Sequence, residues 1–145
     1  MQQADQQVAI KKNTKVPTVL LAAANISENI KSEILDTLEE GLSHLHIKLL
    51  KNENDFSSLE KSHIIVLFEN DMDLLKKAWS QGVVPITQAF DSSIIDYNPN
   101  TESGNSFVYD SKNYWEIFAA IVRACETYKF PYDWKFIVRS CTKSS

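Results

Sequence analysis

His63–Thr87 reads HIIVLFENDMDLLKKAWSQGVVPIT, and its pattern decides the fold. His63–Phe68 is a short run with almost no polar interruption. Such a run needs apolar cover on both faces, as a strand has in a parallel sheet. Asp71–Gln81 reads as a helix, because Leu74, Leu75, Ala78 and Trp79 fall on one face. Gly82 stands where such a helix ends. Val83–Thr87 is a second apolar strand. A strand, a helix and a strand of these lengths form a crossover between parallel strands. Pro85 removes one ladder donor and so suggests a sheet edge or a strand end.

The same alternation extends in both directions. Upstream, Val16–Ala24 (VPTVLLAAA) is a buried strand. Asn25 opens a helix with Glu28 three residues on, the spacing of a capping box. Ile26, Ile30, Ile34, Leu38 and Leu42 mark its inner face, and Gly41 its end. His46–Leu50 is a further strand, and Asn52–Lys61 is polar loop with a half-turn. Downstream, Asp91–Asn105 (DSSIIDYNPNTESGN) is loop and Ser106–Tyr109 a last short strand. Asp110 or Ser111 caps a long helix whose core stripe runs from Tyr114 through Ile117, Phe118, Ile121, Val122 and Cys125 to Tyr128. Pro131 marks a break before a terminal helix, Trp134–Cys141. The expected architecture is a single three-layer α/β domain of Rossmann-like type, a mostly parallel sheet flanked by helices plus a C-terminal helix. It occupies residues 16–141, between a mobile N-terminal tail, 1–15, and a short tail, 142–145.

Composition narrows the function. The chain has 145 residues, 43% of them hydrophobic, too many for a disordered chain. Lys and Arg number 15 against 19 Asp and Glu, a net charge of −4, and the only arginines are Arg123 and Arg139. No dense basic stripe appears, so no nucleic-acid partner is expected. No apolar run approaches the roughly 20 residues of a membrane span. Met1–Lys15 carries no apolar leader core, and two cysteines do not make a disulfide framework, so a cytoplasmic location is the expectation.

One segment is more specific than the alternation. Gly82–Tyr109 reads GVVPITQAFDSSIIDYNPNTESGNSFVY. Gly82, Pro85 and Ile86, then Asp96, Tyr97, Asn98 and Pro99, then Gly104, Asn105 and Phe107 form three pieces in order. Ala124, Tyr128 and Trp134 follow in the helices. This set resembles the C-terminal nucleotide-sugar domain of bacterial glycogen synthases and plant starch synthases, glycosyltransferases of the GT-B fold. The likeness covers about Gly82–Arg139 and is topological before that. It implies a Rossmann-like half-enzyme that meets a second half across the active site, and 145 residues hold one half.

The departures from that pattern carry the functional expectation. The family holds nucleotide phosphates with an Arg- and Lys-bearing loop after its first strand, but Ala22–Glu28 (AAANISE) contains no basic residue. Its Thr-Gly-Gly turn is replaced by Gln88–Ser93 (QAFDSS). Its Glu-Pro-Cys-Gly-Leu type site is reduced to Glu69 followed by Asn70, Asp71 and Met72. A diphosphate needs close-approaching amides and cationic neutralisation. This rim offers Glu69, Asp71, Asp73 and Asp91 instead, whose field repels a nucleotide sugar unless a divalent cation intervenes.

Each remaining feature has a plainer reading. Glu69, Asp71 and Asp73 resemble a divalent-cation site, yet they suit the first turn of the following helix better. The same acids suggest a response-regulator receiver, but no acidic pair follows the first strand. His44, His46 and His63 suggest a metal, but His44 and His46 lie two apart, on one face if on a strand, with no Cys or third acid near in sequence. Cys125 belongs to the core stripe, Cys141 near the C-terminus is expected at the surface, and neither has a base partner. The dense aromatics of the last third pin helices to the sheet, although Trp115 and Tyr132 lie off the apolar stripe and would form an interaction patch if exposed.

The resulting expectation is a stand-alone, non-catalytic glycosyltransferase-like domain that binds a protein partner, a second copy of itself or a glucan. The alternative is one half of a split glucosyltransferase that binds ADP-glucose or UDP-glucose and transfers glucose to a glucan. A purely structural α/β domain is the third reading. No catalytic residue is assigned, Glu69 being a relic of the family's sugar-contacting Glu. Asn25, Glu69, Asn70, Asp71, Gln88, Asp91 and Ser92 are the candidate ligand-binding residues, and no metal or cofactor is expected.

Overall fold

Among the described residues, five strands form one parallel sheet. The computed structural model describes residues 15–23, 34–52 and 57–145. The strands are β1 (Thr18–Ala22), β2 (Lys48–Asn52), β3 (Ile64–Leu67), β4 (Val84–Thr87) and β5 (Phe107–Val108). They pair in the order β2-β1-β3-β4-β5, every pair parallel. Val19 sits opposite Leu49 and Ile64, and Ile86 opposite Phe107. The described helices are α1 (Asp36–Leu42), α2 (Met72–Ser80), α3 (Tyr114–Tyr128) and α4 (Pro131–Ser144), with a 3-10 turn at Ser57–Lys61. The expected start of the first helix at Asn25 lies outside the described residues.

The chain steps from β1 to β2 in one direction and from β3 to β4 in the other. Right-handed crossovers therefore place α1 and α2 on opposite faces of the sheet. α3 packs on α1, and α4 packs on α2. The central strands β3 and β4 are buried along their whole length, which is why their sequences are apolar at successive positions. Trp79, wholly buried, is among the largest core side chains.

Several local expectations shift, each for a visible reason. Pro85 is on an interior strand, not at an edge, opposite Ile65 of β3. Val84 donates to His63 of the β3 side, and Thr87 accepts from Tyr109 on the β5 side. By the parallel alternation, Pro85 faces β5 below the ladder's first rung at Ile86, where no donor is needed. The second strand begins two residues later than read, because Ser43–Ile47 turn out of α1 through Leu45 N–H to Leu42 O and Ile47 N–H to Leu45 O. The long helix is capped by Asn113, not Asp110 or Ser111: its Oδ1 accepts from Glu116 N–H at 3.0 Å. Pro131 breaks the chain only by starting α4, as its first residue. The terminal helix runs on to Ser144.

The loop from Gln88 to Ser106 carries the chain back to the start of β5 and is organised around Asn105, which is 5% exposed. Its N–H donates to Ile95 O, and its Oδ1 accepts from Ile95 N–H and from Ser106 Oγ–H. Its Nδ2 donates to Ser93 O and Ser144 Oγ, both at 2.9 Å. Its carbonyl accepts from Trp79 Nε1–H at 3.0 Å and Cys141 Sγ–H at 3.3 Å. One residue thus joins the loop, α2 and α4. Gly104 beside it has φ +124°, and a Cβ there would run into the backbone of Tyr97.

Asn105→Ala leaves several buried groups unpaired and should destabilise the fold by about 2–4 kcal/mol. Gly104→Ala should cost about 2–3 kcal/mol through strain. Gly41→Ala, where a Cβ meets side chains only, the Tyr114 hydroxyl and the edge of the Phe118 ring, should be milder. Urea unfolding midpoints of the three variants check this ordering.

Candidate functional site: the carboxyl rim of the sheet

Because all five strands run one way, their carboxyl ends share one rim. In open sheets of this kind ligands bind there, at the point where the chain reverses its direction of winding, here between β1 and β3. Ala23 follows β1, Phe68–Asp71 follow β3, Gln88 follows β4, and Tyr109–Asn113 follow β5. Asn25 lies outside the described residues.

The polar groups of this rim are bonded to one another. Lys112 Nζ meets Glu69 Oε1 at 3.0 Å, linking the ends of β5 and β3. Gln88 Nε2 donates to Asp110 O at 2.8 Å. Tyr109 Oη–H donates to Leu67 O at 2.6 Å beneath them. Burial, with Glu69 nearby as the lesser cause, pushes that phenol well above the ordinary tyrosine range. Glu116 reaches back to the N–H groups of Asp110 and Ser111 at 3.0 and 2.9 Å and to Ser111 Oγ–H at 2.7 Å. These hydrogen bonds, those of Ser111 first, hold its carboxyl below the usual range.

Asp71 is the N-cap of α2, its Oδ1 accepting from Leu74 N–H at 3.0 Å. That is the plainer of the two readings its sequence allowed. Asn70 is exposed beside it. Asp91 and Ser92 do not join the rim group. Asp91 accepts from the Ser93 hydroxyl and N–H, which lowers its pKa, and Ser93 O is held by Asn105 at the start of β5. The loop has by then turned toward the opposite end of the sheet. Of the candidate ligand residues, the structure gathers Glu69, Asn70, Asp71 and Gln88.

The two exposed aromatics are separated as well. Trp115 is 73% exposed at the rim end of α3, and Tyr132 is 67% exposed at the start of α4. The length of α3, about 20 Å by helical rise, lies between them. They are two features, not one patch. His44 and His46 are exposed in a turn and not on a strand, and His63 is buried, its Nδ1 accepting from Thr18 N–H at 2.9 Å. Among the described residues no group of three His, Cys, Asp or Glu side chains is placed to hold a metal ion. No helix among them is long and apolar enough to cross a membrane.

Sequence reasoning passed over Lys112, Tyr109 and Glu116. Lys112 was findable, since it follows the last strand by a few residues and so must stand at the rim.

No family profile matches this sequence, and no curated protein does. Among solved structures the chain is similar to the catalytic domain of starch synthase IV from Arabidopsis thaliana, solved bound to ADP and acarbose. The identity is 17% and the TM-score 0.64, over 97% of this chain and 39% of that one. The chain therefore spans about two fifths of that structure's length and shares its glycosyltransferase-like α/β fold. That is the architecture the resemblance in Gly82–Arg139 implied.

Cys141 is wholly buried, not at the surface as its place near the C-terminus suggested, because it lies on the inner face of α4, and neither cysteine is set up as a nucleophile. Burial, ahead of the nearby Glu126, pushes the Cys125 thiol up to about 12, and burial raises Cys141 as well. Both should resist a thiol reagent such as DTNB in the native protein and react at once in denaturant. For Asp91 and Glu116 the folded pKa is depressed, so their contribution is present at neutral pH and lost as pH falls through the folded values. Carbon-detected NMR titration should find both carboxyls below the usual range, with Ser93→Ala and Ser111→Ala each moving its partner back up.

Proposed function

We propose that this chain is a non-catalytic glycosyltransferase-like domain that acts by binding a protein partner or a glucan. One observation carries the reading. At the rim where open sheets take their ligands, Glu69, Gln88, Asp71 and Lys112 are each committed to a partner within the chain. The cation that a diphosphate would need is neutralised by a carboxylate already in place. At about a third exposed on each side, that pair is worth at most about 1 kcal/mol, so it does not lock the rim shut. It does remove net positive charge from the place where two phosphates would have to sit, and Glu69 would face them directly. The family's glycine-rich turn is also absent from Gln88–Ser93, so no backbone there is free of side chains for close approach.

The retained motif residues support the same reading, because they serve architecture. Asp96 Oδ1 accepts from Val108 N–H at 3.0 Å and from Arg123 at 3.2 Å, and Arg123 lies 5.3 Å from the Phe107 ring centroid. Tyr97 Oη–H donates to Asp133 at 3.3 Å. A domain that keeps these while its phosphate loops differ is suited to holding a partner rather than transferring a sugar.

Amide NMR titration of the full chain tests this with ADP-glucose, UDP-glucose and a maltooligosaccharide, each with and without Mg²⁺. Neither nucleotide sugar should shift Glu69–Asp71, Gln88 or Lys112. Shifts near Trp115 with the oligosaccharide alone would identify the glucan as the ligand, and no shift with any of the three leaves the protein partner. Saturable shifts at the rim with a nucleotide sugar would sink the non-catalytic reading and restore the split-enzyme alternative.

A further inference from the structure

The outer face of α4 is unlike the rest of this acidic molecule. Its buried residues, Trp134, Ile137, Val138 and Cys141, face the core. On the opposite side, at spacings of three and four, stand Tyr132, Lys135, Phe136, Arg139 and Lys143. Tyr132 and the three cations are exposed, Phe136 is half-buried, and the Tyr132 and Phe136 rings meet edge-on at 5.1 Å. The helix's one acid, Asp133, points off this stripe to the Tyr97 hydroxyl. The stripe therefore carries three positive charges and two aromatic rings with no acid among them.

Its complement is on the same chain, on the other helix pair. The outer face of α1 presents Asp36, Glu39 and Glu40 with no cation in the helix. Asp36 and Glu40 are exposed, while Glu39 is partly engaged by Lys51 at 3.0 Å. Exposed Trp115 stands on α3, the helix that packs against α1.

We propose that the basic, aromatic face of α4 docks on the acidic face of α1 in a second copy of this chain. The inference does not depend on what the rim binds. The charged side chains of the two helix faces are opposite in sign, with Lys51 beside α1 offsetting only Glu39, which favours this pairing and disfavours α4 on α4 or α1 on α1. Aromatic residues and Arg supply the anchors that such contacts use. The two faces are different surfaces, so the contact is heterologous: each copy offers one face of each kind, and copies add head to tail. One helix face is a small area, so the association is weak and concentration-driven.

Sedimentation velocity across a protein concentration series, at low and at high salt, is the test. The chain should associate as its concentration approaches about 1 mM in low salt and dissociate as salt shortens the Debye length below about 10 Å. Lys135→Glu with Arg139→Glu, on the exposed side of α4, should weaken association about tenfold or more. Asp36→Lys with Glu40→Lys should do the same. Mixing the two double variants should restore association, because each then meets a face of opposite sign, and circular dichroism confirms that both are folded. A chain that stays monomeric throughout in low salt overturns the proposal, even if the stripe captures a polyglutamate peptide. So does association that ignores salt, or that survives either double variant, or a mixture that fails to recover.

Discussion

The carbonyl and side chain of Asn105 tie the β4–β5 loop to the packed pair of helices α2 and α4. A parallel sheet must return each strand to the starting edge, and between β4 and β5 no helix does this. A loop of 88–106 makes the return, and a loop has no ladder to satisfy its backbone. Asn105 supplies partners from inside it: Ile95 and Ser93 on the loop itself, Trp79 on α2, Cys141 and Ser144 on α4. Every donor and acceptor of its amide group is used, so it is a complete network and stabilises rather than burdens the interior. Gly104 is required next to it because the backbone of Tyr97 passes too close for a side chain.

This gives a physical meaning to the stretch that resembles glycogen and starch synthases. Gly104, Asn105 and Phe107 set the start of β5, and Asp96 with Arg123 clamps that strand to α3. None of these residues is among the groups gathered at the carboxyl rim. A motif whose work is to close the sheet persists for structural reasons whether or not the rim binds a nucleotide. The same separation is how a fold can match that of a catalytic domain at 17% identity without the site being shared.

The strands and the helices between them were legible because their cause is local. Val19–Leu21, Ile64–Leu67 and Val84–Ile86 are apolar at every position, and sheets covered on both faces demand that. The ends of elements were less legible, since they depend on competition among polar groups: Asn113 caps α3 because Glu116 reaches back past it to Ser111 and Asp110. Of the two places Pro85 suggested, the strand end holds and the sheet edge does not, because an interior strand tolerates proline where its neighbour has not yet begun. At the candidate site, Glu69, Asp71 and Gln88 stand past strand ends as read, while Asp91, read to the same rim, does not. Sequence could not foresee the Glu69–Lys112 pair, whose members are 43 residues apart, nor that Ser93 would be drawn off the rim by Asn105. Those are tertiary facts with no periodicity to announce them.

The account's central claim is that the shared motif is architectural and the rim does not hold a nucleoside diphosphate. Thermal unfolding of the chain with and without a large excess of ADP tests it most directly, because any ligand that prefers the native state must raise the transition temperature. The account predicts the same transition temperature with and without ADP. A dose-dependent rise that Lys112→Ala abolishes would contradict it, by showing that the cation leaves Glu69 to bind phosphate.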